Sequence, residues 1–232
     1  MKITNVRAIP TGSPQLDGSG FDRQPKRNFV YVKIETDEGL VGWGESTCGP
    51  LTVASMVDEI GATLIGKDPF RIEHHWQYLY RMSPFRGTAL SGAISAVDIA
   101  LWDIKGKHFE VPVWELLGGK CRDKIRLHLL GGGSTPETMY QAAKDAVGEG
   151  FTALKFDPLV GGYQDMAVAR LVMTAREITA AAREGGGPDL DLIIEVHRKL
   201  TPLTAQTLAD ALEEFHLYFY EDPIQIDRIM AQ

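Results

Sequence analysis

The sequence has little cysteine and no long apolar stretch, and both absences restrict what the protein can be. Its 232 residues contain two cysteines, Cys48 and Cys121, which form no CxxC pair and have no neighbouring histidine. Two unrelated buried thiols in a reducing compartment are therefore expected, with a disulfide as the alternative. No apolar run approaches the roughly 20 residues that a membrane-spanning helix needs, so no membrane partner is expected.

An excess of basic residues is also absent. The chain has 24 Lys and Arg against 31 Asp and Glu, for a formal net charge of −7. This balance argues against nucleic acid or an anionic membrane surface as a partner. The first residues have no apolar segment typical of a signal peptide, so the expected location is cytoplasmic.

Three short apolar runs stand out in the last third of the chain, and each ends on charged residues. They cover residues 153–157, 192–197 and 217–222, and helix-like segments separate them. This pattern is typical of buried parallel strands joined by crossover helices. Because α/β folds place active sites at the carboxyl ends of such strands, the charged ends predict a functional site.

The expected fold class is α/β, in two domains. Residues 1–111 predict an α+β domain, with strands at 1–10, 29–36 and 40–45 before helices at 51–65, 70–82 and 91–107. Small residues in the third helix, among them Ala96 and Ala100, should let another element pack closely. Residues 112–232 predict four β-α repeats, starting with a strand at 124–130. That is the first half (about four strands) of a (β/α)8 TIM barrel, which is incomplete because a whole barrel needs about 250 residues.

Glu195 and Glu221 are the candidate metal ligands. They end two successive strands one strand–helix–strand repeat apart, so they should occupy equivalent places on neighbouring strands. Hard carboxylate oxygens without cysteine favour Mg²⁺ over zinc. The alternative is that each is a neighbour of a helix N-cap or a salt-bridge partner. A third ligand is expected one repeat further on, beyond Gln232.

Lys155, Asp157 and His197 are the candidate polar groups around that metal site. Lys155 could act as a base or as a cation that holds an oxyanion. Because Asp157 should face the same side and keep Lys155 charged, the electrostatic role is favoured over the base role. A simple Lys–Asp pair at the barrel mouth is the alternative. His197 should point the same way as Glu195 and could be a general acid or base.

Three further passages, together with these strand ends, resemble the mandelate racemase branch of the enolase superfamily. They are residues 41–46 (VGWGES), 96–107 (AVDIALWDIKGK) and 112–119 (PVWELLGG). Within that branch the chain looks most like sugar-acid dehydratases of the galactonate and gluconate type, in truncated form. The resemblance implies that residues 1–111 are a capping domain and that the protein is a Mg²⁺-dependent lyase.

The resemblance also implies roles for individual residues. Glu195 and Glu221 match the first two of three Mg²⁺ ligands, although the first is more often Asp. Lys155 matches a lysine that contacts the carboxylate side of the substrate. Asp157 stands where racemases keep a second, proton-abstracting lysine. His197 matches the histidine that protonates the departing hydroxyl.

Two weaker candidates lie in the long loop at residues 11–28, which is rich in glycine and proline. This loop matches the capping-domain loop that closes over substrate in the family. Phe21 and Arg23 in it are therefore candidate substrate-binding residues.

The implied reaction removes the proton next to the carboxylate of an aldonate, forms an enediolate held by Mg²⁺, and expels the β-hydroxyl to give a 2-keto-3-deoxy acid. The base is expected on a later strand, so the 232-residue chain by itself is expected to be inactive and to bind Mg²⁺ weakly. A racemase, epimerase or cycloisomerase is the enzymatic alternative. A non-catalytic, structural family member is the other. The expected partners are a small sugar acid and, in the full-length form, further copies of the chain.

Overall fold

The chain forms two compact units, Met1–Asp123 and Lys124–Gln232. The computed structural model describes residues 1–12, 29–47 and 49–225. The candidates Phe21 and Arg23, and also Cys48, lie outside the described residues. Within them, no helix is long and apolar enough to cross a membrane.

The first unit is an antiparallel sheet covered by helices, as the sequence predicted. The sheet order is β1-β2-β3, with β1 at the edge. The strands are β1 (Ile3–Thr11), β2 (Phe29–Thr36) and β3 (Val41–Ser46), and the helices are α1 (Pro50–Ala62), α2 (Ile72–Arg81), α3 (Thr88–Phe109) and α4 (Val113–Leu116).

Glycines in β3 allow α3 to pack directly against the backbone of that strand. A Cβ atom added to Gly44 would lie 1.8 Å from the carbonyl oxygen of Ala96, and one added to Gly42 would lie 2.1 Å from that of Ala100. The Asp103 carboxylate of α3 also accepts a 2.9 Å hydrogen bond from the Trp43 backbone N–H. Ala96 and Ala100, which were predicted to permit close packing, therefore do so. The contact lies between the two sequence passages at residues 41–46 and 96–107.

Replacing Gly44 by alanine should destabilise the first unit by about 1–3 kcal/mol, because the added methyl group meets backbone atoms that cannot move aside cheaply. Chemical denaturation monitored by tryptophan fluorescence would measure the loss. Gly87→Ala is the matched control, since a Cβ there meets nothing within 4 Å. It should cost less than about 1 kcal/mol, the difference between glycine and alanine at a helix N-cap. Equal losses in both variants would contradict the packing argument.

The second unit is a four-stranded parallel sheet in the order β4-β5-β6-β7, with a helix after each of the first three strands. This confirms the predicted half barrel. Its elements are β4 (Leu129–Leu130), α5 (Pro136–Gly148), β5 (Ala153–Phe156), a 3-10 turn (Tyr163–Asp165), α6 (Val168–Gly186), β6 (Asp191–Glu195), α7 (Pro202–Leu212), a 3-10 turn (Glu213–Phe215) and β7 (Phe219–Glu221).

Side chains along β5 and β6 point alternately to the two faces of the sheet, so one face carries the hydrophobic core and the other the charged residues. Leu154 and Phe156 of β5, together with Leu192 and Ile194 of β6, are buried in the same cluster as residues of α5, α6 and α7. Since successive side chains point to opposite faces of a sheet, Lys155 and Glu195 lie on the face away from those helices. The helix-side core thus holds the strands whose other face carries the charged groups.

Three sequence-based expectations differ from the structure. The strand expected at 124–130 is reduced to β4, Leu129–Leu130, because only those two residues pair with β5. The helix expected from about residue 165 begins at Val168, after a 3-10 turn. Cys121 was expected to be buried and is an exposed free thiol. It lies in the irregular stretch between α4 and β4, which has no core of its own to cover it.

Candidate functional site

Glu195 and Glu221 lie side by side at the carboxyl ends of β6 and β7. The two residues are direct partners in the parallel register, Glu195 with Glu221. Adjacent strands lie about 4.8 Å apart, so two glutamates paired in register can reach one common ion. The predicted matching of their positions is confirmed, and their role as ligands stays a prediction.

Lys155 places its ammonium group between these two carboxylates. Its Nζ lies 2.7 Å from Glu195 Oε2 and 3.1 Å from Glu221 Oε2. The side chains of Lys155 and Glu195 are only 13% and 15% exposed, so the contact is largely screened from water. The hydrogen bond between them raises the pKa of Lys155 and lowers the pKa of Glu195. Lys155 is therefore a cation here, which favours the electrostatic role over that of a base.

Asp157 does not pair with Lys155, so the predicted Lys155–Asp157 contact is wrong. The Asp157 carboxylate forms an ion pair with Lys199. Its other oxygen accepts a 2.9 Å hydrogen bond from the backbone N–H of Leu159. Asp157 follows the last residue of β5, and its short side chain turns back to its own loop, whereas the longer glutamates reach Lys155.

His197 lies next to both Asp157 and Glu195. Its Nδ1 is 3.4 Å from Asp157 Oδ2 and its Nε2 is 3.7 Å from Glu195 Oε1. The predicted proximity to Glu195 is confirmed, but strand alternation does not produce it, because β6 ends at Glu195. His197 instead adopts a left-handed backbone conformation with φ of 54°. Its ring is half exposed, so a ligand at the carboxyl ends of the strands can reach it.

The residues present fit a hard divalent cation. Two carboxylates converge on one point, and the Lys155 ammonium group at that point shows that it accepts a cation. Carboxylate oxygens are the donors that Mg²⁺ prefers. Among residues 1–12, 29–47 and 49–225, no three His, Cys, Asp or Glu side chains form a cluster that could hold a metal. A Mg²⁺ site at this pair, and its third ligand, therefore both stay predictions.

Replacing Lys155 by methionine should lower the stability of the second unit by about 2 kcal/mol without metal, because two adjacent carboxylates are left uncompensated. This is less than the roughly 3–5 kcal/mol of a fully buried pair, since Glu221 is about one-third exposed. Added Mg²⁺ should raise the melting temperature of this variant more than that of the wild type, as a cation that binds only the folded state stabilises it.

Differential scanning calorimetry with and without Mg²⁺ measures both effects. Arg176→Met is the matched control, because the Arg176–Glu214 ion pair lies at the surface of the same unit, with 50% and 54% of the side chains exposed. Its melting temperature should hardly change. A Lys155→Met variant as stable as the wild type would contradict the argument that Lys155 compensates the charges of Glu195 and Glu221.

Sequence reasoning missed three charged residues of this site. Lys199 binds Asp157, and Arg198 forms an ion pair with Asp222. Each lies within four residues of a strand-end glutamate, which is the only signal that could have found them. Tyr220, next to Glu221, has a buried hydroxyl group without a hydrogen-bond partner among the described residues.

Comparisons with known proteins agree with this geometry. Residues 19–118 match the mandelate racemase/muconate lactonizing enzyme N-terminal domain, and residues 138–232 match the enolase C-terminal domain-like family. The chain is 39% identical over 208 residues to the D-galactonate dehydratase of Klebsiella pneumoniae (strain 342), covering 87% of this chain and 53% of that protein. It thus spans about half the length of that relative.

Two solved structures extend the likeness to three dimensions. An enolase superfamily member from Salmonella Typhimurium has a TM-score of 0.88 at 31% identity, covering 99% of this chain and 63% of that one. An enolase from Pantoea ananatis with bound D-gluconate and Mg has a TM-score of 0.85 at 30% identity, covering 99% and 61%. With both domain families matched in order, the chain belongs to the mandelate racemase and muconate lactonizing enzyme family of the enolase superfamily.

Proposed function

We propose that the protein is a Mg²⁺-dependent dehydratase of a sugar acid, which converts an aldonate into a 2-keto-3-deoxy acid. The observation that carries the proposal is the in-register pair of Glu195 and Glu221 with Lys155 between them and His197 beside them. The D-galactonate dehydratase relative and the solved structure with D-gluconate and Mg support it.

Glu195 and Glu221 would hold the metal, and Lys155 would face the substrate. When bound, Mg²⁺ supplies a Lewis acid that draws charge from the substrate's carboxylate and so makes the neighbouring carbon more acidic. Lys155 would supply a positive charge beside the metal, on the side that faces the substrate; its hydrogen bond to Glu195 raises its pKa. A charge in place before the reaction stabilises the enediolate without any reorganisation.

His197 would give a proton to the departing β-hydroxyl. Asp157 lies on the Nδ1 side of the ring and Glu195 on the Nε2 side, so the imidazole ring is bracketed by two negative groups. The ring nitrogens therefore lie at the carboxyl ends of β5 and β6, where a proton could pass to a departing hydroxyl group. The histidine on a later strand that would remove the proton next to the carboxylate stays a prediction.

The position of Asp157 disfavours the racemase alternative. A racemase needs a proton-transferring group on each face of the reacting carbon, and the resemblance implies that racemases keep a lysine where Asp157 stands. In this chain the carboxylate is held by Lys199 and by the backbone N–H of Leu159. A carboxylate engaged in this way is a poor substitute for a free amine.

The test is to express the protein from its complete gene and to incubate it with Mg²⁺ and a panel of aldonates, including D-galactonate and D-gluconate. Formation of a 2-keto-3-deoxy acid that stops when EDTA is added supports the proposal. Epimerised substrate without dehydration in deuterated buffer supports a racemase instead. No turnover, together with a melting temperature that Mg²⁺ and aldonate leave unchanged, supports a non-catalytic family member.

A further inference from the structure

Several contacts join the loops that follow β6 and β7, and Arg198 and Asp222 make two of them. The guanidinium group of Arg198 forms an ion pair with the Asp222 carboxylate. The backbone N–H of Arg198 donates to the backbone carbonyl of Asp222 over 2.6 Å. Gln225 adds a hydrogen bond of 3.1 Å from its side-chain amide to the carbonyl oxygen of Arg198. Both the side chain and the backbone of Arg198 are therefore committed to the neighbouring loop.

The same residues carry an uncommon backbone conformation. His197, Arg198 and Asp222 have φ of 54°, 59° and 47°. Residues with a Cβ atom disfavour this left-handed region, because Cβ comes close to the following carbonyl oxygen. Such conformations persist only where surrounding contacts impose them, and they concentrate at functional sites. The Lys199 N–H donates to the Val196 carbonyl across the turn over 3.2 Å, and the contacts between Arg198 and Asp222 join that turn to the neighbouring loop.

The left-handed turn determines where the His197 ring lies. His197 follows Glu195 by two residues, after β6 has ended. The turn brings Nδ1 of the His197 ring to 3.4 Å from Asp157 and Nε2 to 3.7 Å from Glu195. Asp222 directly follows Glu221, so the pair also joins the two chain segments that carry the candidate metal ligands. A change in this contact should therefore reach His197 and both glutamates together.

We propose that Arg198 and Asp222 form a positioning pair, which holds the left-handed turn that places His197 beside Asp157 and Glu195 and keeps the two glutamates aligned. Neither residue is assigned a contact with substrate. The proposal rests on the proposed function only in taking His197 as the acid and the glutamates as metal ligands. The geometry that it explains is independent of both roles.

The rival explanation is an ordinary surface ion pair. The side chains of Arg198 and Asp222 are 42% and 34% exposed, and ion pairs at that exposure contribute little to stability. If the pair had no positioning role, its loss would change neither the His197 ring nor the affinity for Mg²⁺. Measurements at His197 therefore separate the two explanations better than stability does.

The test uses the variants Arg198→Met, Asp222→Asn and the double variant of the 232-residue chain. Asparagine tolerates left-handed backbone as aspartate does, so Asp222→Asn removes the charge without adding strain. Histidine ring ¹⁵N and ¹H chemical shifts at one fixed pH are the first measurement, with the His197 signals assigned from His197→Asn. The second is Mg²⁺ affinity by titration calorimetry.

Each single variant should shift the His197 ring signals, and the double variant should shift them no further than the larger single effect. Mg²⁺ affinity should fall about 10-fold, as it does when partners that orient metal ligands are removed. Arg198→Lys, which keeps the charge, should recover part of both effects. The matched control is Arg176→Met with Glu214→Gln, which breaks an ion pair of the same kind elsewhere in the unit. It should change neither measurement.

Unchanged His197 signals in folded Arg198→Met or Asp222→Asn would overturn the proposal, whatever happens to the melting temperature. So would equal shifts in the control pair. If the wild-type chain bound no Mg²⁺ while the His197 signals moved as expected, the metal assignment would fail and the positioning pair would stand. If one variant did not fold, the other variant and Arg198→Lys would still decide the question.

Discussion

Replacing His197 by asparagine should lower the rate of aldonate dehydration by about 10²–10⁴-fold, the usual contribution of a positioned general acid. The loss should fall on kcat, because the ring acts on the departing hydroxyl and is not assigned a role in holding the substrate. Mg²⁺ affinity should stay within a few-fold of the wild type, since Glu195 and Glu221 are untouched. Steady-state kinetics on the protein expressed from its complete gene would measure the effect.

A matched control for this variant exists within the same unit. His216 also has a left-handed backbone, with φ of 49°, but it precedes β7 and lies at the opposite end of that strand from Glu221. Asparagine tolerates this conformation at both positions. His216→Asn should therefore keep full activity. Similar losses in the two variants would show that the effect comes from the backbone or the fold and not from the His197 ring.

Deuterium exchange separates an acid from a base at His197. If His197 only protonates the departing hydroxyl, His197→Asn should still exchange the hydrogen next to the substrate's carboxylate with deuterated solvent, while dehydration is slow. If His197 were the base, exchange and dehydration would disappear together. NMR of the recovered aldonate gives the answer directly, and loss of both processes would contradict the role proposed for this residue.

Replacing Glu195 by glutamine should weaken Mg²⁺ binding by more than about 100-fold, which is the upper end of the effect seen when only a supporting partner of a metal ligand is lost. The amide has nearly the shape of the carboxylate but lacks the charge that attracts a hard cation. The variant also leaves Glu221 as the carboxylate that pairs with Lys155, so the site carries one negative charge fewer than in the wild type and attracts a cation less strongly. Titration calorimetry on the wild type and the variant measures the change.

Two control variants make the Glu195 result specific. Glu195→Asp keeps the charge on a shorter side chain and should bind Mg²⁺ far better than Glu195→Gln. Asp157→Asn removes a nearby carboxylate that pairs with Lys199 and not with Lys155, so it should change Mg²⁺ affinity by less than about 10-fold, the lower end of outer-partner effects. If Asp157→Asn weakened binding as strongly as Glu195→Gln, the site would be assigned to the wrong carboxylates.

Much of the fold could be predicted from the sequence because it depends on local periodicity. The apolar patterns of residues 29–36 and 40–45, on either side of a tight turn, predict a hairpin, and β2 and β3 pair as antiparallel neighbours. The apolar runs that end in Lys155, Glu195 and Glu221 predict parallel strands, and β5, β6 and β7 form them. Glu195 and Glu221 meet because equal positions in successive β-α repeats fall at equal heights in a parallel sheet.

The partners of individual charges were not predictable in the same way. Asp157 was expected to bind Lys155, two residues away on the same strand. The structure instead gives Lys155 to Glu195 and Glu221, and Asp157 to Lys199. Strand periodicity applies only as far as the strand extends, and Asp157, His197 and Lys199 all lie beyond a strand end. Their contacts depend on loop conformation, which local pattern does not determine.

The sequence by itself thus determined the elements, the parallel order of the second unit and the shared position of Glu195 and Glu221, since these follow from short-range periodicity and repeat length. Only the tertiary structure decided which carboxylates neutralise Lys155 and how His197 reaches them. The reason is physical: the place of the His197 ring depends on left-handed backbone at His197 and Arg198, which local sequence permits but does not require. Contacts between two loops more than twenty residues apart in the chain hold those turns in place.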